Sequence, residues 1–238
     1  MEITFVYPYY ENGTMFRFQQ EVWNRYPSDL KKQLHIIVVD DCSKHNPAAK
    51  FIAPNIGVDL QLYRIEKKVA WNWLEARNIG VHYANTEWLL LTDMDHVVRM
   101  KIFQRLMRRL PDLDPTKVYQ FSRVRAPRMD HYKFHNDSFL VTKELFWKCG
   151  GYDEDYAGQY GTSGMFRRRL FSAASGHVLF TDMSLILYPR EVIADASTTN
   201  LPRKHGRDPN GIRRITEEKK QSGRLAPRHF LQPYSRVL

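Results

Sequence analysis

A chain of 238 residues is long enough for one large α/β domain, with or without a tail, and 43% hydrophobic residues argue against global disorder. Two cysteines, Cys42 and Cys149, are too few for a disulfide framework or a zinc cluster, which is typical of a protein in a reducing compartment. No apolar stretch is long enough to span a membrane, and Ile3 begins a strand-like run without a charged and then apolar leader. We therefore expect no transmembrane segment, no signal peptide and a cytoplasmic location.

The net charge of +10 is concentrated near the carboxyl terminus. Residues 201–238 contain ten Lys or Arg and three Asp or Glu, which gives 10 − 3 = +7. A field of this sign attracts phosphates and polyanions, so the charge favours an anionic partner.

The first part of the chain alternates between strand and helix patterns. Short apolar runs predict strands at 3–7, 34–39, 60–65 and 88–92, and apolar residues at helical spacing predict helices from Met15 to Tyr26 and from Val69 to Ala84. A loop with turn residues, 7–13, follows the first strand. This alternation predicts an α/β fold with a mostly parallel sheet.

Pairs of carboxylates follow two of these predicted strands. Asp40 and Asp41 end the second strand, where they could accept hydrogen bonds from a base or ribose, although Asp41 could also cap a turn. Asp93 and Asp95 end the fourth strand and point the same way in an extended segment. Two such carboxylates suit a hard divalent cation that neutralises a diphosphate, and the alternative is a solvated acidic loop.

The second part of the chain is more basic and less regular. The patterns predict a helix at 101–110, a strand at 117–124, a basic loop at 123–133, a strand at 138–141 that leads into a helix at 142–149, and one or two closing strands at 177–188. Proline and glycine interrupt residues 196–238, which we expect to form a tail or lid that orders in part only when ligand binds.

Four segments, in order, resemble the motifs of one known family. They are Val6–Asn12, Val39–Ser43, Ala76–Gly80 and Asp93–Asp95, the last being the Asp-x-Asp motif. The chain resembles a glycosyltransferase of the GT-A fold and the family-2 type. The resemblance implies a Rossmann-like, mostly parallel mixed sheet flanked by helices, with a basic C-terminal tail. We expect a GT-A domain at 1–195, with a nucleotide-sugar-binding half at 1–96 and an acceptor half at 97–195, and a tail at 196–238.

The resemblance also implies ligands and residue roles. It implies a nucleotide-diphosphate sugar, usually a uridine one, as donor, with Mn²⁺ or Mg²⁺ as cofactor, in a hexosyltransferase of the inverting type. Pro8 and Tyr10 lie in the segment that matches the opening loop of the donor site. By the same resemblance, the other roles are Asp40 or Asp41 for the base, Arg77 for base or phosphate, Asp93 for ribose and Asp95 for the metal.

One departure from the family concerns the catalytic base. Residues 150–154 match the family's acceptor segment, but Thr162 and Ser163 stand where the family has Glu-Asp. Neither side chain is a general base at neutral pH. The remaining candidates are Asp137 and the cluster Asp153, Glu154 and Asp155. We favour the cluster, although its acids could equally be turn and cap residues.

Three hypotheses for function follow. The first is a metal-dependent glycosyltransferase with a saccharide or small-molecule acceptor. The second is a glycosyltransferase that modifies a hydroxymethylated base of DNA, which the basic clusters at 99–133 and 201–238 favour. The third is a nucleotide-sugar-binding module that has lost catalysis.

Basic residues of the expected lid, such as Arg203, Lys204 or His205, could stabilise the leaving diphosphate. The acceptor, the sugar and the oligomeric state stay open at this stage.

Overall fold

The computed structural model describes residues 1–159, 161–198, 208 and 210–238. Within these residues ten strands form one mixed sheet, in the order β10-β3-β2-β1-β4-β8-β6-β9-β5, with β7 paired to β6. The strands are β1 (Ile3–Tyr9), β2 (Leu34–Asp40), β3 (Asp59–Ile65), β4 (Trp88–Leu91), β5 (His96–Val97), β6 (Lys117–Arg125), β7 (Asp130–Tyr132), β8 (Phe139–Thr142), β9 (Gly176–Leu187) and β10 (Tyr234–Arg236). The helices are α1 (Gly13–Asn24), α2 (Ser28–Lys31), α3 (Trp73–Tyr83), α4 (Met100–Arg109), α5 (Lys143–Lys148), α6 (Ser163–Ala173) and α7 (Gly211–Gln221).

The amino-terminal half of the sheet is parallel, and the rest is mixed. Strands β3, β2, β1 and β4 are neighbours and run parallel, and β8 adds antiparallel to β4. Because parallel strands are buried on both faces, their side chains pack into two apolar clusters. Phe5 and Tyr7 of β1 pack under α1 and α4, whereas Val6 packs under α3, α5 and α6. The structure confirms an α/β fold with a mixed sheet flanked by helices.

Helix α3 lies very close to β1. A Cβ atom at Gly80 would lie 2.3 Å from the Cγ1 of Val6, so only glycine permits this approach. The sequence pattern predicts that this helix begins at Val69, but it begins at Trp73. The reason is that Trp71 has a φ of +52°, which no right-handed helix contains. The basic loop predicted at 123–133 is in part a hairpin, since β7 pairs with the end of β6.

The carboxyl-terminal residues form part of the domain. Strand β10 pairs antiparallel with the edge of β3, and helix α7 places Lys219 in a buried position between Asp153 and Asp155. Residues 210–238 thus contact the domain, and the division into a domain at 1–195 and a tail or lid at 196–238 stays a prediction. Arg203, Lys204 and His205 lie outside the described residues. No helix in the described part of the chain is long and apolar enough to cross a membrane.

Candidate active site

A cavity of about 310 Å³ opens at the carboxyl ends of β1, β2 and β4. Five of the residues predicted for the donor and the metal line it, namely Pro8, Tyr10, Asp41, Asp93 and Asp95. Asp137 and Ser163 of the acceptor half line the same cavity, as do residues 196–198. The strand order explains this convergence, because parallel neighbours end at one edge of the sheet.

The loop after β1 is joined to residues 195–198. The Nδ2 of Asn12 donates hydrogen bonds to the carbonyl oxygens of Asp195 (2.6 Å) and Ala196 (3.2 Å), and the hydroxyl of Thr198 donates to the carbonyl of Tyr10. The carboxylate of Asp195 accepts from two backbone N–H groups at the start of α1. These bonds make one continuous cavity wall from two distant segments.

The two acids at the end of β2 differ in role. Asp40 accepts hydrogen bonds from the backbone N–H groups of Ser43 (2.8 Å) and Ala48 (2.9 Å) and from Arg64 (3.1 Å). Asp40 does not line the cavity, and its hydrogen bonds hold the loop after β2. Of the pair predicted for the base, only Asp41 faces the cavity.

Asp41 keeps one oxygen for a ligand. Its Oδ2 accepts from the backbone N–H of Asn72 (2.8 Å), and its buried Oδ1 has no hydrogen-bond partner among the described residues. Burial raises the pKa of Asp41 to about 8, although the Asn72 hydrogen bond and the charge of Lys68 act in the opposite direction. The carboxyl group can therefore take up or release a proton near neutral pH when a base binds.

Arg77 is completely buried and connects the two halves of the domain. Its guanidinium donates to Asp93 Oδ1 (2.7 Å), to the backbone carbonyl of Asp137 (2.6 Å) and to the hydroxyl of Tyr152 (2.9 Å). The side chain does not line the cavity, but its partners Asp93 and Asp137 do. Its neighbour Asn78 binds the backbone of Tyr152 through both amide atoms.

The Asp-x-Asp segment faces two histidines. The ligand atoms of Asp93, His96 and His135 all lie within 4.8 Å of one another, a spacing that could hold a metal ion. Asp95 Oδ1 and His96 Nδ1 lie 2.7 Å apart, yet both are buried without an aligned hydrogen bond in the part of the chain that is described. Carboxylate oxygen and imidazole nitrogen suit Mn²⁺, and the carboxylates alone suit Mg²⁺. The residues present thus fit the divalent cation that the resemblance implies.

The charge state of this segment favours a cation. Burial tends to raise the pKa of Asp93, but the charge and the hydrogen bond of Arg77 act against it, so that the pKa is lowered and the carboxylate stays ionised. Burial lowers the pKa of His135 well below its ordinary value, and the proximity of His96 lowers it further. At neutral pH the site is therefore a carboxylate beside a neutral imidazole.

The three acids favoured as the catalytic base do not line the cavity. Asp153 and Asp155 both bind the ammonium of Lys219, at 3.0 and 2.5 Å, and Asp155 also binds Arg228. Glu154 accepts from Asn78 and from the backbone N–H of Leu231. These contacts attach the carboxyl-terminal segment to the domain, so the geometry does not support the catalytic assignment.

Asp137 is the candidate base that faces the cavity. Its Oδ1 is buried with no hydrogen-bond partner among the described residues. Burial raises the pKa of Asp137, while the charge of Arg77 and a hydrogen bond with Ser163 lower it in part. Ser163 begins α6, where the family has its Glu-Asp. Asp137 thus places a carboxylate next to the start of α6, where this chain has Ser163 and the family has an acid.

Several residues of the site were missed by sequence reasoning. His135 precedes Asn136 and Asp137 in a segment without periodicity, so no local pattern connects it with Asp93. Residues 196–198 were assigned to a tail. Of these residues, only Asn12 lies in a segment that matches a family motif. Its hydrogen-bond partner Asp195 is 183 residues further along the chain.

Comparisons with known proteins support this architecture. No curated protein matches the chain. The structure of S. aureus TarS 1–349 in complex with UDP-GlcNAc is similar with a TM-score of 0.67 and 13% identity, over 92% of this chain and 66% of that chain. The longer S. aureus TarS structure gives 0.64 and 11% identity, over 92% of this chain and 43% of that chain.

A third structure is the mannosyltransferase PcManGT from Pyrobaculum calidifontis in complex with GDP-Man and Mn²⁺. It has a TM-score of 0.57 and 16% identity, over 92% of this chain and 64% of that chain. At these identities the likeness shows the fold, which is that of GT-A glycosyltransferases. The model of glycosyl transferase family 2 matches residues 21–187, which is more than half of the chain. The chain therefore belongs to glycosyl transferase family 2.

Proposed function

We propose that this protein transfers a sugar from a uridine-diphosphate sugar to a hydroxyl acceptor, with a divalent cation as cofactor and Asp137 as general base. One observation carries the proposal. The buried, unpartnered Oδ1 of Asp137 belongs to a residue that lines the same cavity as Asp41, Asp93 and Asp95. A proton acceptor and the expected donor-binding residues thus share one enclosure.

The environment of Asp41 supports uridine over guanosine. The base edge of guanine presents two neighbouring N–H donors, which a carboxylate binds with both oxygens. Oδ2 of Asp41 already accepts from the N–H of Asn72, so Oδ1 is the oxygen without a partner among the described residues. One oxygen matches uracil, which presents a single N–H between two carbonyl groups. TarS, with UDP-GlcNAc bound, is in line with this choice, whereas PcManGT binds GDP-Man.

Asp95 and Asp93 would hold the cation against the diphosphate. A bound divalent cation neutralises the charge that develops on the leaving diphosphate. Arg77 fixes Asp93 from behind through the 2.7 Å hydrogen bond to Oδ1. This contact leaves the other carboxylate oxygen for ligands.

The acceptor hydroxyl would react beside Asp137. Asp137 takes the hydroxyl proton while the acceptor oxygen forms a bond to the anomeric carbon, and the bond from that carbon to the diphosphate breaks with its electrons leaving on UDP. A single displacement of this kind inverts the anomeric configuration. Trp71 and Trp73 line the same cavity and offer apolar surface to the C–H faces of a sugar. This favours a saccharide acceptor.

The two rival hypotheses lose support. Thr162 and Ser163 no longer argue for lost catalysis, since Asp137 lies against Ser163. Among the described residues that line the cavity there is no Lys or Arg to bind the backbone of a DNA acceptor. Binding of DNA elsewhere on the surface stays a prediction.

The experiment is a panel of UDP-sugars and GDP-sugars with Mn²⁺, Mg²⁺ or EDTA, in which released nucleotide is measured with and without saccharide acceptors. We expect release from at least one UDP-sugar, its loss in EDTA, and a weaker donor affinity in Asp41→Ala. Asp40→Asn is unsuitable as a control because it disturbs the loop, so Asp29→Asn, an exposed acid in α2, serves as the matched variant. Release from GDP-sugars alone, or release that EDTA leaves unchanged, would contradict the proposal.

A further inference from the structure

We propose that His135 is a nitrogen ligand of the divalent cation and binds it through Nε2, beside Oδ2 of Asp93. The inference rests on the proposed function for the partner of the cation, the donor diphosphate. It adds a ligand from outside the Asp-x-Asp motif, supplied by the segment that also carries Asp137.

The orientation of the His135 ring is fixed from one side. Its Nδ1 lies 2.9 Å from the hydroxyl of Ser138, and that hydroxyl lies 2.8 Å from the hydroxyl of Thr92. Ser138 and Thr92 are both buried, so the ring has a stable partner on its Nδ1 side. Metal-binding histidines are held in this way by a hydrogen bond at the nitrogen that does not bind the metal.

The other ring nitrogen faces an oxygen for which the described residues provide no aligned hydrogen bond. His135 Nε2 lies 3.4 Å from Asp93 Oδ2, which is long for a charge-assisted hydrogen bond of about 2.7–2.9 Å. Two adjacent ligands of an octahedral ion at about 2.1 Å are about 3 Å apart, which is close to the observed separation. The pair is spaced as two ligands of one cation would be.

Asp93 is also prepared for this role. Arg77 binds its Oδ1 at 2.7 Å, so the carboxylate presents Oδ2 towards His135. The side chain of Asp93 is 39% exposed and that of His135 19% exposed, so an ion can reach both.

His96, the other histidine of the group, has a different role. The guanidinium of Arg123 lies 3.0 Å from its Nε2, and because arginine only donates, this nitrogen must accept. The ring proton is then on Nδ1, which lies 2.7 Å from Asp95 Oδ1 and has no lone pair for a metal. His96 therefore offers no lone pair to the cation, and its ring stacks on His135 with centroids 4.3 Å apart.

A nitrogen ligand has a consequence for metal choice. Mg²⁺ prefers oxygen ligands, whereas Mn²⁺ also accepts imidazole and stands in the series of transition metals that bind it. We therefore expect Mn²⁺ to bind more tightly than Mg²⁺, and the preference to shrink when the imidazole is removed.

The test is electron spin-echo envelope modulation of Mn²⁺ bound to the full-length protein with UDP. We expect ¹⁴N modulation from imidazole in the wild type, its loss in His135→Gln, and its retention in His131→Gln, an exposed histidine of β7. His96→Gln should keep the modulation. A wild-type spectrum without nitrogen modulation would overturn the inference, and this measurement does not depend on whether any variant folds. Loss of the modulation in His96→Gln with retention in His135→Gln would overturn it as well.

A titration of Mn²⁺ and of Mg²⁺ in the presence of UDP provides the second measurement. Mn²⁺ affinity should fall at least about 10- to 100-fold in His135→Gln, with a smaller change for Mg²⁺. Equal affinities in wild type and variant would contradict the inference. If the wild type shows nitrogen modulation but transfers no sugar, the proposed function fails and the metal ligand stands. If it transfers sugar without nitrogen modulation, the reverse holds.

Discussion

Two groups of carboxylates lie near each other in this domain and differ in how their oxygens are used. The cavity carboxylates are Asp41, Asp93, Asp95 and Asp137, and the latch carboxylates are Asp153, Glu154 and Asp155. Asp41, Asp95 and Asp137 each keep a buried oxygen without an aligned hydrogen bond in the described part of the chain. Both oxygens of every latch carboxylate have a partner.

The difference shows how a buried acid can be assigned to a ligand or to the fold. A buried oxygen without a partner costs free energy, roughly 1–3 kcal/mol, and is kept where a ligand later satisfies it. An acid whose oxygens are all paired has no free capacity for a proton or a metal. Proximity to the matched Gly-Gly segment is therefore a weaker guide than the state of the oxygens.

The largest expected effect comes from removing one carboxylate charge from each of the two groups and comparing the loss of kcat. Asp137→Asn should lower kcat by about 100- to 10,000-fold, because a general base is removed, and should leave the dissociation constant of UDP nearly unchanged. Asp153→Asn should leave kcat unchanged at a temperature where the variant is folded. Steady-state kinetics and UDP titration check both variants.

A double variant sharpens this prediction. Ser163→Asp in the Asp137→Asn background returns a carboxylate to the helix start where the family has one, and should restore part of kcat. If Asp137→Asn retains full kcat while Asp153→Asn loses it, the assignment of the two groups is reversed.

The second prediction concerns the latch. Lys219 is 7% exposed and neutralises Asp153 and Asp155, so Lys219→Met leaves the buried Asp153 without a cation among the described residues, while Asp155 keeps Arg228. We expect a loss of about 3–5 kcal/mol in the free energy of unfolding. The neighbouring Lys220 pairs with Glu217 at the surface, and Lys220→Met should cost about 1 kcal/mol or less. Urea unfolding measures both, and equal effects would show that the latch does not stabilise the fold.

The sequence predicts the fold well, for a local reason, and the donor-site roles stay predictions. Asp41, Asp93 and Asp95 follow buried strands, and the position of a residue directly after a strand is set by the sheet itself. The βαβ alternation was enough to place these strand ends at one edge. The motif residues Arg77 and Gly80 were found by their pattern, although their physical roles, a buried connection and a close helix approach, needed the structure.

The acceptor side could not be predicted in the same way. Asp153 and Asp155 accept hydrogen bonds from the ammonium of Lys219, which lies 66 and 64 residues further along the chain. Asp137 is positioned by Arg77, which is 60 residues before it. Neither pairing leaves a periodic signal, because it depends on how the elements pack. The same is true of His135, which no motif contains.

A further pair of carboxylates, Asp59 and Glu2, allows a pH test far from the cavity. His35 lies between Asp59 (2.7 Å) and Glu2 (2.9 Å) near the starts of β1, β2 and β3. Burial tends to lower the pKa of His35, but the hydrogen bonds and charges of Asp59 and Glu2 outweigh it and raise the pKa. The protonated form is therefore favoured by folding.

The sign of the effect follows from this direction. The stabilisation is fully present below the unfolded pKa of about 6.5 and is lost as pH rises through the higher folded pKa. Urea unfolding from pH 6 to pH 9 should show a decline that is smaller in His35→Gln, while transfer activity at a fixed pH is unchanged in the variant. A decline of the same size in His35→Gln would assign the pH dependence to other groups.

The smallest expected effect is on DNA binding. Several cations of residues 208–238 are paired with acids of the protein and are therefore not available to a nucleic acid. Lys219 and Arg228 bind Asp155, and Arg214 pairs with Asp208 and Glu218. Deleting this segment would remove buried contacts, so charge substitution is the cleaner test.

Arg213, Arg224 and Arg236 are the exposed cations of residues 208–238 for which no acidic side-chain partner is found within the described residues. We expect duplex DNA to bind this segment weakly at low salt. The affinity should fall with salt with a log–log slope of about 3 or less, since each neutralised phosphate contributes about 0.9. Anisotropy titrations of the full-length protein and of the Arg213→Ala/Arg224→Ala variant, at two salt concentrations, measure this slope. A slope above about 4 would show that more cations than the exposed ones of residues 208–238 follow a phosphate backbone, and it would revive DNA as the acceptor. No binding at low salt would remove the DNA hypothesis and leave the positive charge as a counterpart of the latch acids.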